Sequence, residues 1–265
     1  KNLTILYMTE STNGSIYTVS DIAKIPSICV MIPVTSKGRE WNTFKDTDLY
    51  NIFFKSFFRT YNKELNHLFC FAIDSDDHIM NNMKDEIERN FDIMKNSSVK
   101  FISTDGIEKG HVTEMWNRCF KYGIQENNDY FLQCGDDIDF LNDGWENSFI
   151  RFLEGNRNVG VCGFSDMGRL HYNRNDRLIT QSFVHRTHYE IFGSYFPKKI
   201  INWGCDDWIT EIYKKTGDVF YSPLHMIVNK GGEPRYDIVN NRNLWNDLIK
   251  EDYPKINCFK WCLKK

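Results

Sequence analysis

Asp136, Asp137 and Asp139 stand in "GDDID", directly after the apolar "NDYFLQC". Three carboxylates this close repel one another and raise each other's pKa, so something must make the arrangement tolerable. Two readings are open. Asp often begins a turn after a strand, or a hard divalent cation sits among the oxygens. Mg²⁺ and Mn²⁺ commonly take one or two protein carboxylates and complete their shells with substrate phosphates. Asp137 and Asp139, two apart on a loop, reach one ion if the backbone turns between them. Asp136 then faces the ligand or the ion's surroundings.

Two further groups carry similar chemistry. "CFAIDSDD" ends an apolar run in Asp74, Asp76 and Asp77. A calcium loop counted from Asp74 would need Gly at Ile79 and Glu at Asp85, so that reading fails. These are strand-end carboxylates, suited to hydrogen bonds from a base or ribose, or to capping the helix that follows. "NWGCDDW" places Asp206 and Asp207 at a helix start, where the dipole favours negative charge. Capping explains the acids alone. Trp203 and Trp208 around them offer, in addition, aromatic faces of the kind sugar rings stack on. His225, 18 residues after Asp207, is a core or surface histidine or the neutral ligand that completes a divalent site. There is no GxSxG, P-loop or GxGxxG pattern, so serine-hydrolase, P-loop and dinucleotide chemistries lack support.

The surrounding elements must bring these groups together. "SICVMIPV", "LFCFAID", "VKFIS" and "YFLQC" are apolar runs of the kind buried parallel strands show. Between them, Leu49, Phe53, Phe57 and Tyr61, then Met83, Ile87 and Met94, then Val112, Met115, Trp116 and Cys119 repeat at helical spacing. Strand–helix alternation predicts a doubly wound parallel sheet, with ligands beyond the strands' carboxyl ends. "TSKGRE", "DSDD" and "GDDID" all lie at such ends. After residue 150 the elements shorten: strands at "VGVCGF", "LITQSFVHR" and "DVFYSPLHMIV", a short helix at "THYEIF", a helix through "CDDWITEIYKK", and a last helix over 239–250. Asn13-Gly14 marks a hairpin within residues 1–24. "NKGGEPR" reads as a mobile lid, hinged at Gly231-Gly232, whose Lys230 and Arg235 would meet a diphosphate.

At 265 residues, 41% hydrophobic and 15% aromatic, the chain can bury one large α/β core. Its net charge of −3 and scattered Lys and Arg argue against nucleic acid as a partner. No apolar run approaches the ~18 residues of a membrane span. The eight cysteines form no CxxC pair and read as reduced thiols. With no signal peptide visible, they give a cytoplasmic expectation. Sequons at Asn2, Asn13 and Asn96 point weakly the other way in so Asn-rich a chain, and a start at Lys1 fits a segment excised from a longer protein.

The order of elements resembles the GT-A-fold glycosyltransferases of the family-2-like group. "ICVMIPV" resembles their opening strand, "CFAIDSDD" the second, "GHVTEMWNRCFKYG" the helix bearing a frequent Asn (here Asn117), and "YFLQCGDDIDF" the strand leading to DxD. "HRTHYEIFGSYFPKKIINWGCDDWITEIYKK" resembles the acceptor segment of galactosyltransferase type, usually near WGxED, with Asp206 at the Glu position and Asp207 at the Asp position. The likeness covers roughly residues 27–230. It implies a Rossmann-like, mostly parallel sheet flanked by helices. Residues 25–140 would be the nucleotide-sugar half, 141–235 a smaller acceptor-side half, and 236–265 a C-terminal helix and tail.

It also implies a metal-dependent, inverting transfer from a nucleoside-diphosphate sugar, UDP favoured, to a glycan or other hydroxyl. Pro33, Thr35, Arg39, Asp74, Asp76, Asn117, Asp136 and Asp137 would line the donor. Mn²⁺ or Mg²⁺ would sit on Asp137, Asp139 and His225. Asp207 would be the base, and Asp206 and Trp203 would hold the acceptor. Asp replaces the usual Glu, and the 110s carry no clear basic residue for the diphosphate beyond Lys109. Two rivals remain: a sugar nucleotidyltransferase, for which "TSKGRE" is a thin version of the required basic Gly-rich loop, and a non-catalytic carbohydrate-binding domain.

Overall fold

The computed structural model describes residues 24–170, 177–232 and 234–265. The expected N-terminal hairpin lies outside these apart from Lys24. Eight strands form one sheet: β1 (Ser27–Val34), β2 (Asn66–Ile73), β3 (Ser97–Ile102), β4 (Tyr130–Gln133), β5 (Ile138–Phe140), β6 (Val161–Asp166), β7 (Ser182–His185) and β8 (Val219–Asn229). Their order is β3-β2-β1-β4-β7-β6-β8-β5. The first half, β3 to β4, is parallel throughout, as the apolar runs predicted. Beyond β4 the sheet is mixed: β7 is antiparallel to both neighbours and β5 is antiparallel to β8.

The sheet is buried on both faces, and β1 shows why its sequence is apolar without alternation. Ile28, Val30, Ile32 and Val34 enter one cluster, while Cys29 and Met31 enter the other. The first face is covered by a π-helical run, Leu49–Phe54, continuing into α1 (Lys55–Thr60), and by α3 (Lys84–Phe91) and α5 (Trp145–Gly155). Leu49, Phe53 and Phe57, at four-residue steps, are all fully buried there. The opposite face is covered by α4 (Val112–Gln125), α8 (Cys205–Lys214) and α9 (Arg242–Cys262). Short helices α2 (His78–Asn82), α6 (Met167–Leu170) and α7 (Thr187–Phe192) fill the corners.

Two expectations change. The helical pattern around 81–95 is two helices, α2 and α3, meeting at Met83. The last helix does not stop near 250. It runs through Pro254 to Cys262, because its far half has tertiary partners: Ile256 is fully buried and Lys260 pairs with the buried Asp218 at 2.7 Å. All eight cysteines are free thiols, six of them buried. Among the described residues no helix is long and apolar enough to cross a membrane.

Candidate active site

β2, β1 and β4 are adjacent and parallel, so "DSDD", "TSKGRE" and "GDDID" leave the sheet along one edge. The chain turns off β4 at Gly135, whose N–H donates to Gln181 Oε1 at 3.0 Å. It then forms β5, with Asp139 opposite Val228 of β8. Asp139 is therefore a strand residue rather than a loop residue. Ile138 and Phe140 are buried and Asp139 faces out, the period of two expected of a strand.

The acidic cluster is met by cations from distant parts of the chain. Arg235 donates from Nη1 to Asp136 Oδ2 at 2.9 Å and to the Thr35 carbonyl at 3.0 Å. Its Nη2 contacts Asp136 Oδ1 and lies 3.6 Å from Asp137 Oδ2. This is a bidentate, charge-assisted pair that is largely buried, with side-chain exposures of 12% for Arg235 and 1% for Asp136. Asp139 takes Lys230 Nζ at 2.6 Å, and Arg59 at 3.8 Å. Gly231 lies so close that a Cβ there would sit 1.7 Å from Asp137 Oδ2. Arg39 fixes that close approach, donating to the Gly231 carbonyl at 2.6 Å while pairing with Asp48 at 3.4 Å. Burial, with Asp136 beside it, pushes the Asp137 carboxyl up to about 7. Burial also raises Asp136, against the pull of Arg235.

The strand-end acids of β2 divide their roles. Asp77 caps α2, accepting from Met80 N–H at 3.0 Å, and it also ties down "TSKGRE" through Ser36 N–H at 2.6 Å and Thr35 Oγ1 at 3.2 Å. Asp76 pairs with Lys109 at the surface. Asp74 is half-buried, and its carboxyl is raised by burial and then by Asp76 and Asp77. Pro33, level with Ala72 of β2, completes the floor beneath them.

The geometry of "NWGCDDW" is set by glycine. Gly204 has φ +89° and precedes α8; a Cβ there would lie 1.9 Å from the Trp245 indole. Gly204, and not an aspartate, is the N-cap, so Asp206 and Asp207 fall in the first turn, where the dipole favours them. Burial, and then the Asp207 charge, push Asp206 up to about 7. Buried Asn202 joins three segments. It donates to the carbonyls of Gly110 (3.1 Å) and Asp237 (2.9 Å), and accepts from Trp203 N–H (2.7 Å) and Val239 N–H (3.0 Å). Trp203 is 42% exposed and hydrogen-bonded to Tyr236, whose phenol pKa is raised by burial and then by Cys205, Asp206 and Asp137.

Two candidates sit elsewhere. Asn117 is buried with its amide spent on the Phe196 backbone, donating at 3.1 Å and accepting at 2.8 Å. His225 hydrogen-bonds Ser148 at 2.9 Å and stands edge-on to Phe149. It closes the irregular stretch of β8 between Tyr221 and Met226, its ring packed on α5, and among the described residues it joins no cluster of three metal-ligating side chains. Sequence reasoning missed Arg59, Asp48 and Tyr236, none of which sits in a motif, and passed over Asn202 at the head of "NWGCDDW".

No family model and no curated protein matches the chain. Solved structures do. S. aureus TarS 1–349 in complex with UDP-GlcNAc superposes with a TM-score of 0.56 at 11% identity, over 86% of this chain and 66% of that one. GalNAc-T7 with UDP, GalNAc and Mn²⁺ gives 0.53 at 10% identity, over 82% of this chain and 47% of that one. The chain thus spans less than two thirds of each solved chain. Both are GT-A-type glycosyltransferases. The fold is the GT-A fold.

In this GT-A sheet the metal expectation can be tested on the donors present. Asp137 and Asp139 are hard oxygen donors of the right kind for Mg²⁺ or Mn²⁺. Arg235, Lys230 and Arg59 now hold them, and among the described residues no three His, Cys, Asp or Glu side chains converge as a ready-made cage. An ion held by these two carboxylates would have to take its remaining ligands from phosphate and water.

Proposed function

We propose that the chain is a metal-dependent, inverting glycosyltransferase that moves a sugar from a nucleoside-diphosphate donor, UDP-sugar first, to a hydroxyl acceptor. One observation carries the reading: on a GT-A sheet, the acidic ends of β2 and β4 flank the end of β1. The donor's base and ribose would meet Asp74 and Asp76, and its diphosphate would lie beyond Thr35 and Arg39, facing Asp136 and Asp137. Asp137 and Asp139 would hold the divalent cation, which when bound neutralises charge on the departing diphosphate. Asp207 takes the proton of the acceptor hydroxyl, Asp206 accepts a hydrogen bond from the acceptor, and Trp203 stacks on its ring. Asn117 positions the Phe196 backbone behind this wall.

Calorimetry with UDP, GDP and CDP, each with and without Mn²⁺, tests the assignment. UDP binding that needs Mn²⁺ supports it. Equal binding in EDTA removes the metal, and no binding of any of the three removes the transferase reading.

A further inference from the structure

Among the described residues, the acidic cluster is charge-balanced before any ligand arrives. When ionised, Asp136, Asp137 and Asp139 carry three negative charges, and Arg235, Lys230 and Arg59 lie within 3.8 Å of their oxygens. The next pair outward, Arg39 and Asp48, cancel each other at 3.4 Å. Two of the three cations, with Gly231 between them, come from the chain leaving β8. Gly231 stands directly against the Asp137 carboxylate, and the Lys230 N–H donates to the Asp137 carbonyl at 2.9 Å.

Resting on the transferase reading, we infer that Lys230 and Arg235 act as built-in counter-ions that compete with the divalent cation for the acidic cluster and are drawn off it by the donor diphosphate. The charge count sets the order of events. An ion alone would add two positive charges to a balanced cluster and would find both donor carboxylates engaged. A diphosphate alone would add negative charge in front of cations already committed to carboxylates. Both together keep the site near neutrality, with Lys230 and Arg235 turned to phosphate and the ion on Asp137 and Asp139. Uncompensated charge in a buried site is costly, so ion and diphosphate should bind with positive coupling, and the coupling must be reciprocal. The site thereby admits the ion when the donor is present and excludes it otherwise.

The test is the affinity for Mn²⁺ alone, followed by the paramagnetic signal of the free ion, in the wild-type chain and in Lys230→Ala and Arg235→Gln. UDP with Mn²⁺ is titrated in parallel. Each variant should bind Mn²⁺ alone more tightly, by about tenfold within the usual 5–150-fold range of such couplings, and UDP with Mn²⁺ more weakly. Unchanged or weaker binding of Mn²⁺ alone in the variants overturns the inference. Arg235→Gln leaves Asp136 buried without its partner and can fail to fold; Lys230, with half its side chain exposed, keeps the test decisive. A wild-type chain that binds neither UDP nor UDP with Mn²⁺ overturns the transferase reading itself, a result distinct from normal ternary binding with no change in the variants.

Discussion

Asp206 and Asp207 are neighbours in the first turn of α8, and their proposed roles differ in what an amide replacement does. Asp207→Asn keeps shape and hydrogen bonding but accepts no proton, so transfer should fall by about 10²–10⁴-fold while UDP binding holds; steady-state rates beside calorimetry check this. Asp206→Asn should instead raise the acceptor KM. If the two phenotypes exchange, so do the roles. Asp206 also carries a pH signature. Its carboxyl is raised from 3.8 to about 7 in the fold, so the folded chain holds a proton that the unfolded chain releases between those values. The associated stability is fully present below about pH 4 and is lost as pH rises through about 7. Asp206→Asn never ionises, so its melting temperature should exceed the wild type's at pH 8, by about 2–4 °C for each kcal/mol recovered, and the advantage should vanish towards pH 4. A pH-independent difference would contradict the partly buried, ionisable placement of Asp206.

At the scale of elements, the proposed acceptor motif depends on how loops are pinned to helices. Gly204 serves twice, through its φ of +89° and through its contact with Trp245. Gly204→Ala meets both penalties, left-handed strain of about 1 kcal/mol and overpacking of about 1–3 kcal/mol; denaturant unfolding should show a loss of about 2–4 kcal/mol. A loss below 0.5 kcal/mol would mean that α9 does not press on this turn. Asn202→Ala removes the clamp on four backbone groups and should destabilise by about 1–3 kcal/mol. Because Trp203 and Tyr236 are held through it, acceptor KM should rise more than UDP affinity falls. The Trp-Gly signal made the motif visible in the sequence, but the clamp was not, since Asn202 serves groups 35 and 92 residues away.

For the whole molecule, ligand binding should appear as stability. UDP with Mn²⁺ at 100 times its Kd adds about 2.7 kcal/mol, and Asp139→Ala should abolish the Mn²⁺-dependent part of the melting shift. The apo melting temperature of that variant should change little, because the two ion pairs it loses involve the exposed side chains of Lys230 and Arg59. A full ligand shift in Asp139→Ala would move the ion elsewhere.

The amino-acid order was enough to place β1 to β4, the helices between them and the shared edge where "DSDD", "TSKGRE" and "GDDID" emerge. Those features rest on continuous apolar runs and on a 3.6-residue period carried by contiguous residues, which any stretch of chain displays on its own. Short β5 was hidden because three residues carry almost no period, and the far half of α9 because Pro254 looks like a stop until Asp218 and the core supply partners. What closed the site came from folding alone. Arg235 finds Asp136 across 99 residues and Thr35 across 200, and Arg39 finds Gly231 across 192. An ion pair depends on a distance of a few ångströms in space. Residues so far apart leave no local trace of it, so the charge that makes the three carboxylates tolerable became visible only when the sheet brought the chain leaving β8 over its edge.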